Sequence, residues 1–370
     1  MGKQIAQKDT TCSTSMCSPG RCLLVLAVFV AICVLVACRF VPETPSDSAS
    51  AESPSVSASA SSATPDSQHT SDTSATPAPN PISTSRTSSS SNSSPDESSA
   101  PATAPDNSDS ANQPKTQPTI YQYQTEERWV EGRHGRIYGL AYIPEGEGPW
   151  PLVVCSHGLG GTHLTDADYA QQLAAHGYAA YTFDFNGGSS QSKSEGSTLD
   201  MSAQTEADDL EDVMDASQNW EFVNHDKLFL FGESQGGLVS AIAASRRPQD
   251  IDALCLLFPA FVLIDYVHDE FATLENVPES FSVFGWITVG HRYAADVWDY
   301  DFESEIGAYS GPVLLVHGTA DVVVPYQYSQ RAAQVYPQAE LHLLEGANHG
   351  FSGHDFDTTV NYMLDFFASN

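Results

Sequence analysis

Leu228-Phe229-Leu230-Phe231-Gly232-Glu233-Ser234-Gln235-Gly236-Gly237 is the stretch on which the reading of this chain turns. An apolar run of β-forming residues leads into G-x-S-x-G, and the small-residue stretch Gly237 to Ser245 that follows has the character of a helix. Strand, G-x-S-x-G and helix together make the serine the tip of a nucleophile elbow. Glycines two before and two after Ser234 are required because a Cβ at either place collides with the neighbouring strand or helix while the turn strains the backbone. The Ser234 hydroxyl then stands clear of the sheet edge, beside a helix N-terminus whose free N–H groups favour a developing anion.

Working outward, strand and helix signals alternate. Glu127 to Val130 and Ile137 to Ile143 read as two strands around the turn Gly132 to Gly135. Pro151 to Cys155 is a continuous apolar strand, Asp168 to Ala175 a helix, and Tyr178 to Phe185 another strand. Glu206 to Asp215 reads as an amphipathic helix with Ala207, Leu210 and Met214 inward and its carboxylates on a solvated face, lacking the loop spacing of a cation site. Further strands are expected at Ala253 to Phe258, Val313 to Val316 and Glu340 to Leu344. This alternation implies an α/β fold with a mostly parallel sheet and helices on both faces.

Four segments carry a resemblance: Ser156-His157-Gly158-Leu159-Gly160-Gly161, Gly232-Glu233-Ser234-Gln235-Gly236-Gly237, His317-Gly318-Thr319-Ala320-Asp321 with Val324-Pro325, and Glu345-Gly346-Ala347-Asn348-His349-Gly350-Phe351. Residues from about 121 onward resemble the α/β-hydrolase fold, and within it are most similar to the small esterases that include bacterial cinnamoyl and feruloyl esterases. Two departures stand out. Glu233 occupies a place where those esterases often carry histidine, and Asn186-Gly187-Gly188-Ser189 replaces a more usual Asn-Gly-His-Gly.

A serine hydroxyl is a poor nucleophile until a base takes its proton, and the base needs a third group to fix its tautomer. In this fold the chain order is Ser, acid, His. Asp321 lies just beyond the strand at 313–316 and His349 just beyond the last strand, which brings both to the edge of the sheet where Ser234 is expected. Ser234, Asp321 and His349 are therefore the expected catalytic residues, with Asp355 as the fallback acid. Among rival histidines, His317 is expected to support the acid loop, His157 to brace its own loop, and His354 to lie in an exposed acidic segment. The oxyanion formed on carbonyl attack calls for two backbone donors, expected to be the amides of Gln235 and Leu159.

Residues 261–310 are too long for a simple connection and hold 11 aromatics in 50 positions. In related esterases an insertion here forms a cap, so Phe281, Phe284, Trp286, Tyr293, Trp298 and Tyr300 are candidates for an apolar pocket or for packing the cap onto the sheet. The expected activity is serine carboxylic-ester hydrolysis through an acyl-enzyme, on a small neutral ester of an aromatic or short-chain acid. Two alternatives remain: a peptidase of the same fold, with Asp265, Asp269, Glu270 or Glu275 holding an α-amino group, and a non-catalytic surface binding module. No metal or organic cofactor is implied, and the sequence leaves the oligomeric state open.

Net charge over all 370 residues is −32, and from Thr119 onward 37 Asp and Glu face 9 Lys and Arg. No basic footprint for nucleic acid exists, and polyanionic substrates are disfavoured. Lys3, Lys8 and Arg21 precede the apolar run Leu23 to Ala37, which is shorter than a spanning helix needs. Leu35-Val36-Ala37-Cys38 resembles a bacterial lipobox, so residues 1–38 are expected to be a lipoprotein-type signal, with Cys38 tethering the protein to the outer face of a membrane. An uncleaved anchor or plain secretion are the competing readings, and all three put the folded part outside the cytoplasm. Residues 39–118 are nearly all Ser, Thr, Ala, Pro, Asp and Asn and are expected to be a disordered spacer, glycosylated or not. That leaves 119–370 as the hydrolase domain. Its cysteines, Cys155 and Cys255, are expected to be buried free thiols.

Overall fold

The computed structural model describes residues 119–370; the expectations for the signal and the spacer lie outside the described residues. The chain enters through an antiparallel hairpin, β1 (Tyr123–Gly132) and β2 (Gly135–Pro144). It continues through β3 (Trp150–Ser156), helix α1 (Ala167–Ala175), β4 (Ala179–Phe183) and helix α2 (Ala203–Ser217). Then come β5 (Val223–Glu233), helix α3 (Gln235–Arg246) and β6 (Ala253–Leu257). After the insertion the chain closes with β9 (Pro312–Gly318), helix α7 (Gln327–Val335), β10 (Gln338–Leu344) and helix α8 (His354–Ser369).

The main sheet has the order β1-β2-β4-β3-β5-β6-β9-β10, antiparallel as far as β4 and parallel from β4 to β10. Its central strands are buried on both faces, which is why they read as unbroken apolar runs rather than alternating ones. Side chains still divide by strand period. Leu152, Val154, Leu228 and Leu230 pack against α2 and α3, while Val153, Cys155, Phe229 and Phe231 pack against Tyr169, Leu173, Met363 and Phe367 of α1 and α8. Truncating one such ring, as in Phe231→Ala, is worth about 3–5 kcal/mol. Cys155 and Cys255 are free and buried.

The insertion contains helix α4 (Leu263–Glu270), a two-stranded hairpin of β7 (Ser280–Val283) and β8 (Ile287–Gly290), and two short helices, α5 (His291–Ala295) and α6 (Phe302–Glu305). It spreads the six aromatics over different environments. Tyr293 is enclosed, Trp286 is exposed at the hairpin tip, and the other four are half-buried against the core.

α2 departs from expectation. Asp208, Glu211 and Asp212 do line a solvated face, where Arg133 and Arg246 neutralise them. Glu206 and Asp209, however, are buried at 1% and 0% exposure. Each has a polar partner waiting inside: Glu206 meets the side chain of Gln235, and Asp209 accepts from the backbone N–H of Asn186 at 2.7 Å. Burial raises both carboxyls to about 8.

Candidate active site

In a parallel sheet all carboxyl ends of the strands open at one edge, and the loops that leave them meet there. β5 ends at Glu233, and Ser234 follows with φ 53° and ψ −119°, a left-handed conformation that non-glycine residues adopt only when the surroundings force it. The forcing contacts are visible. A Cβ on Gly236 would lie 1.9 Å from the carbonyl oxygen of Ser156, and one on Gly232 2.3 Å from that of Gly236. The turn is pinned from outside by Ser234 N–H donating to Leu257 O at 3.0 Å and Ala260 N–H to Ser234 O at 2.8 Å.

The acid loop follows β9. Asp321 Oδ1 accepts from the backbone N–H groups of Val323 and Val324 at 2.8 and 2.9 Å, leaving Oδ2 for His349 Nδ1 at 2.7 Å. Burial alone would raise this carboxyl. The hydrogen bonds from His317 and His349, with the positive charge His349 can carry and the Val324 amide, outweigh it and hold Asp321 well below the usual range. An ionised Asp321 only accepts, so Nδ1 of His349 carries the proton and Nε2 is left to receive the Ser234 hydroxyl at 3.0 Å. Phe258 packs on the imidazole at 4.6 Å between centroids and limits its swing.

The three residues expected from the sequence are thus brought into one hydrogen-bonded chain, and the rivals sit elsewhere. His317 is fully buried, accepts from Ser329 Oγ at 2.7 Å and donates to Val324 O at 2.9 Å, with Asp321 Oδ2 at 3.3 Å, so it supports the acid loop from beneath. His157 bonds its neighbour Gly158 O at 2.8 Å, and burial pushes its pKa down. His354 is exposed at the start of α8, as the sequence suggested, and the fallback Asp355 stands beside it in the first turn of that helix.

The loop after β3 runs alongside the serine: a Cβ on Gly158 would be 3.2 Å from that of Ser234. Leu159 is next in this loop, and its N–H makes no hydrogen bond among the described residues. Gln235 opens α3, where N–H groups have no intrahelical acceptor. The loop is braced from behind by Asp184, which accepts from both the backbone N–H and Nδ1 of His163 at 2.6 Å.

Below the elbow lie two carboxyls that sequence reasoning left without a role. Glu233 is raised to about 7 by burial, and Asp166 is raised by burial and by the charge of Glu233; both Asp166 oxygens lack a hydrogen-bond partner. A cleft of about 470 Å³ lined by His225, Asp226, Arg247 and Asp252 lies at the opposite edge of the sheet, at the amino ends of β5 and β6. Among the described residues no cluster of three metal-ligating side chains occurs.

Residues 148–297 match the family model described as serine aminopeptidase, S33. The chain is 27% identical over 239 residues to the uncharacterized protein YfhR of Escherichia coli, covering 62% of this chain and 75% of YfhR. To the putative carbamate hydrolase RutD of Agrobacterium fabrum it is 25% identical over 253 residues, covering 58% and 92%. Among solved structures, Est1E from Butyrivibrio proteoclasticus with ferulic acid bound superposes with a TM-score of 0.58 at 24% identity, covering 65% of this chain and 99% of Est1E. The chain has the α/β-hydrolase fold, and the proteins it is similar to include ones described as hydrolases.

Proposed function

We propose that the protein is a serine carboxylic-ester hydrolase that works through an acyl-enzyme. The observation that carries this reading is the Ser234–His349–Asp321 chain, with links of 3.0 and 2.7 Å, at a serine held in left-handed conformation. His349 Nε2 takes the Ser234 proton as Oγ attacks the ester carbonyl, and Asp321 stabilises the imidazolium. The resulting oxyanion is received by the N–H groups of Leu159 and Gln235, each worth roughly 3 kcal/mol in comparable sites. His349 returns the proton to the departing alkoxide, the C–O bond breaks, and the acyl group remains on Oγ. Water activated by the same imidazole then releases the acid and restores the serine.

The substrate class is a neutral ester of an aromatic or short-chain acid. The aromatic cap, the acidic surface and the ferulic acid bound in Est1E support it, as does the carbonyl chemistry in the name of RutD. The proposed setting is extracytoplasmic, with Cys38 as the lipid-bearing residue.

One observation favours a second reading, an aminopeptidase: the description of the matching family model, together with exposed Asp269, Glu270 and Glu275 in the cap. Turnover of methyl hydroxycinnamates, p-nitrophenyl acyl esters and aminoacyl-nitroanilides separates the two. Ester hydrolysis exceeding that of the matched nitroanilides is expected, and the reverse order would replace the esterase by the peptidase.

A further inference from the structure

The proposed reaction uses only the main chain of Gln235, yet its side chain is the most fully engaged amide near the site. Gln235 is 2% exposed, its Nε2 donates to Glu206 Oε2 at 2.7 Å, and its Oε1 accepts from the Tyr293 hydroxyl at 2.6 Å. Glu206 comes from the first turn of α2 and Tyr293 from α5 in the cap, so three separate elements converge on one residue. Both partners are themselves 1% exposed. Rotating the amide away would strand a buried donor and a buried acceptor, at a cost of about 1–3 kcal/mol each.

Gln235 directly follows the strained Ser234, at the point where the chain passes from the left-handed turn into α3. The carbonyl side of the Ser234–Gln235 peptide is held by the N–H groups of Gly237, Leu238 and Ala260, which all donate to Ser234 O, and the side-chain tether adds a second hold on the Gln235 side of that peptide. The cap end of the tether is anchored in turn. Thr198 Oγ1 donates to Thr288 O and Ser202 Oγ to Asp296 Oδ2, both at 2.7 Å, tying the hairpin and α5 to the segment that leads into α2.

We infer that Glu206 and Tyr293 are positioning residues that aim the Gln235 N–H at the oxyanion, so that transition-state stabilisation depends on the cap being seated. The inference rests on the ester-hydrolase reading above. It separates two tasks of the cap. Substrate contacts made by its aromatics affect binding, whereas the Tyr293 hydroxyl acts on turnover through a residue that the substrate side chain never meets.

The test is steady-state kinetics of the full chain on its best ester, for wild type, Tyr293→Phe, Glu206→Ala, Glu206→Gln and Ser234→Ala, with melting temperature recorded for each. Removing an oxyanion donor outright costs 10²–10³ in turnover, so displacing one is expected to lower kcat about tenfold in Tyr293→Phe and Glu206→Ala, with KM within about twofold. Affinity for phenylboronic acid, whose adduct places an oxygen where the oxyanion forms, should fall by the same factor. Glu206→Gln keeps an acceptor for Gln235 Nε2 and is expected to restore kcat to within about twofold of wild type. Tyr293→Phe deletes one oxygen and keeps the packed ring, which guards against the outcome that Glu206→Ala simply unfolds. An unchanged kcat in folded Tyr293→Phe, or a loss confined to KM, overturns the inference while an inactive Ser234→Ala leaves the hydrolase reading standing. A wild type inert on every ester overturns both.

Discussion

At the elbow, Ser234 is held by backbone: Leu257 O, the amides of Gly237 and Ala260, and glycines at 232 and 236 that leave no room for a Cβ. In the cap the ties to the site are side-chain hydrogen bonds from residues far apart in sequence, Thr198 to Thr288, Ser202 to Asp296 and Tyr293 to Gln235. The first kind of restraint is steric and has no partial failure. The second consists of single hydrogen bonds worth about 1 kcal/mol each, so its failures are graded. Substitutions that disturb the elbow backbone or the triad should accordingly act as all-or-none, and substitutions in the cap should tune.

Asp321→Asn breaks the first region most severely. The asparagine amide presents N–H where His349 needs an acceptor, which selects the wrong tautomer, and kcat is expected to fall about 10⁴-fold with folding intact. A loss under about tenfold in an ester assay would mean that Asp321 does not orient the base. Gly236→Ala acts on folding instead. With a Cβ 1.9 Å from a backbone oxygen, no rotamer relieves the clash, and a loss of at least about 3 kcal/mol in denaturant unfolding is expected. Native stability in that variant would show that the turn can relax and that the elbow is not sterically fixed.

The smaller effects sharpen the contrast. Glu206 is raised by burial from 4.5 to about 8, so between those values the folded protein holds a proton that the unfolded chain has lost. Stability therefore falls as pH rises through that window, and Asp209, raised to about 8 as well, adds to the fall. Glu206→Gln removes one share, and its unfolding free energy should decline less than that of wild type between about pH 5 and about pH 8, by up to about 1.4 kcal/mol per pH unit. Parallel curves would place the Glu206 proton elsewhere. Smallest of all, Leu159→Ala leaves the backbone donor in place, so kcat should stay within about threefold of wild type. A large loss with intact folding would assign the Leu159 side chain a role of its own.

The same division explains what could be read in advance. The existence of the strands, the mostly parallel sheet, and the meeting of Ser234, Asp321 and His349 follow from local pattern, whereas strand limits do not: β1 and β5 run several residues beyond the apolar runs that announce them. The inward turn of Glu206 and Asp209 was not legible. Their positions on α2 are polar in a helix whose other acids are solvated, and only the presence of Gln235 and the Asn186 amide across the interface makes burial tolerable. Nor did the pattern separate the fates of the cap aromatics. Tyr293 and Trp286 lie on one short segment, but the hydroxyl of the first finds an interior partner and the second caps a hairpin tip. One signal for Glu206 was available: Ser202 and Thr205 form a capping box at the start of α2, which fixes the phase of the helix and brings Glu206 to the inward side with Ala203 and Ala207.

The most direct measurement is labelling of the folded protein with a fluorophosphonate probe, wild type beside Ser234→Ala, at equal concentration and with circular dichroism recorded on the same samples. Stoichiometric label on the wild type, mapped to Ser234 by peptide mass and absent from the variant, is expected of a serine activated by His349 and Asp321. A well-folded wild type that takes no label, or a Ser234→Ala protein that labels as fast, would contradict an assembled nucleophile at this sheet edge.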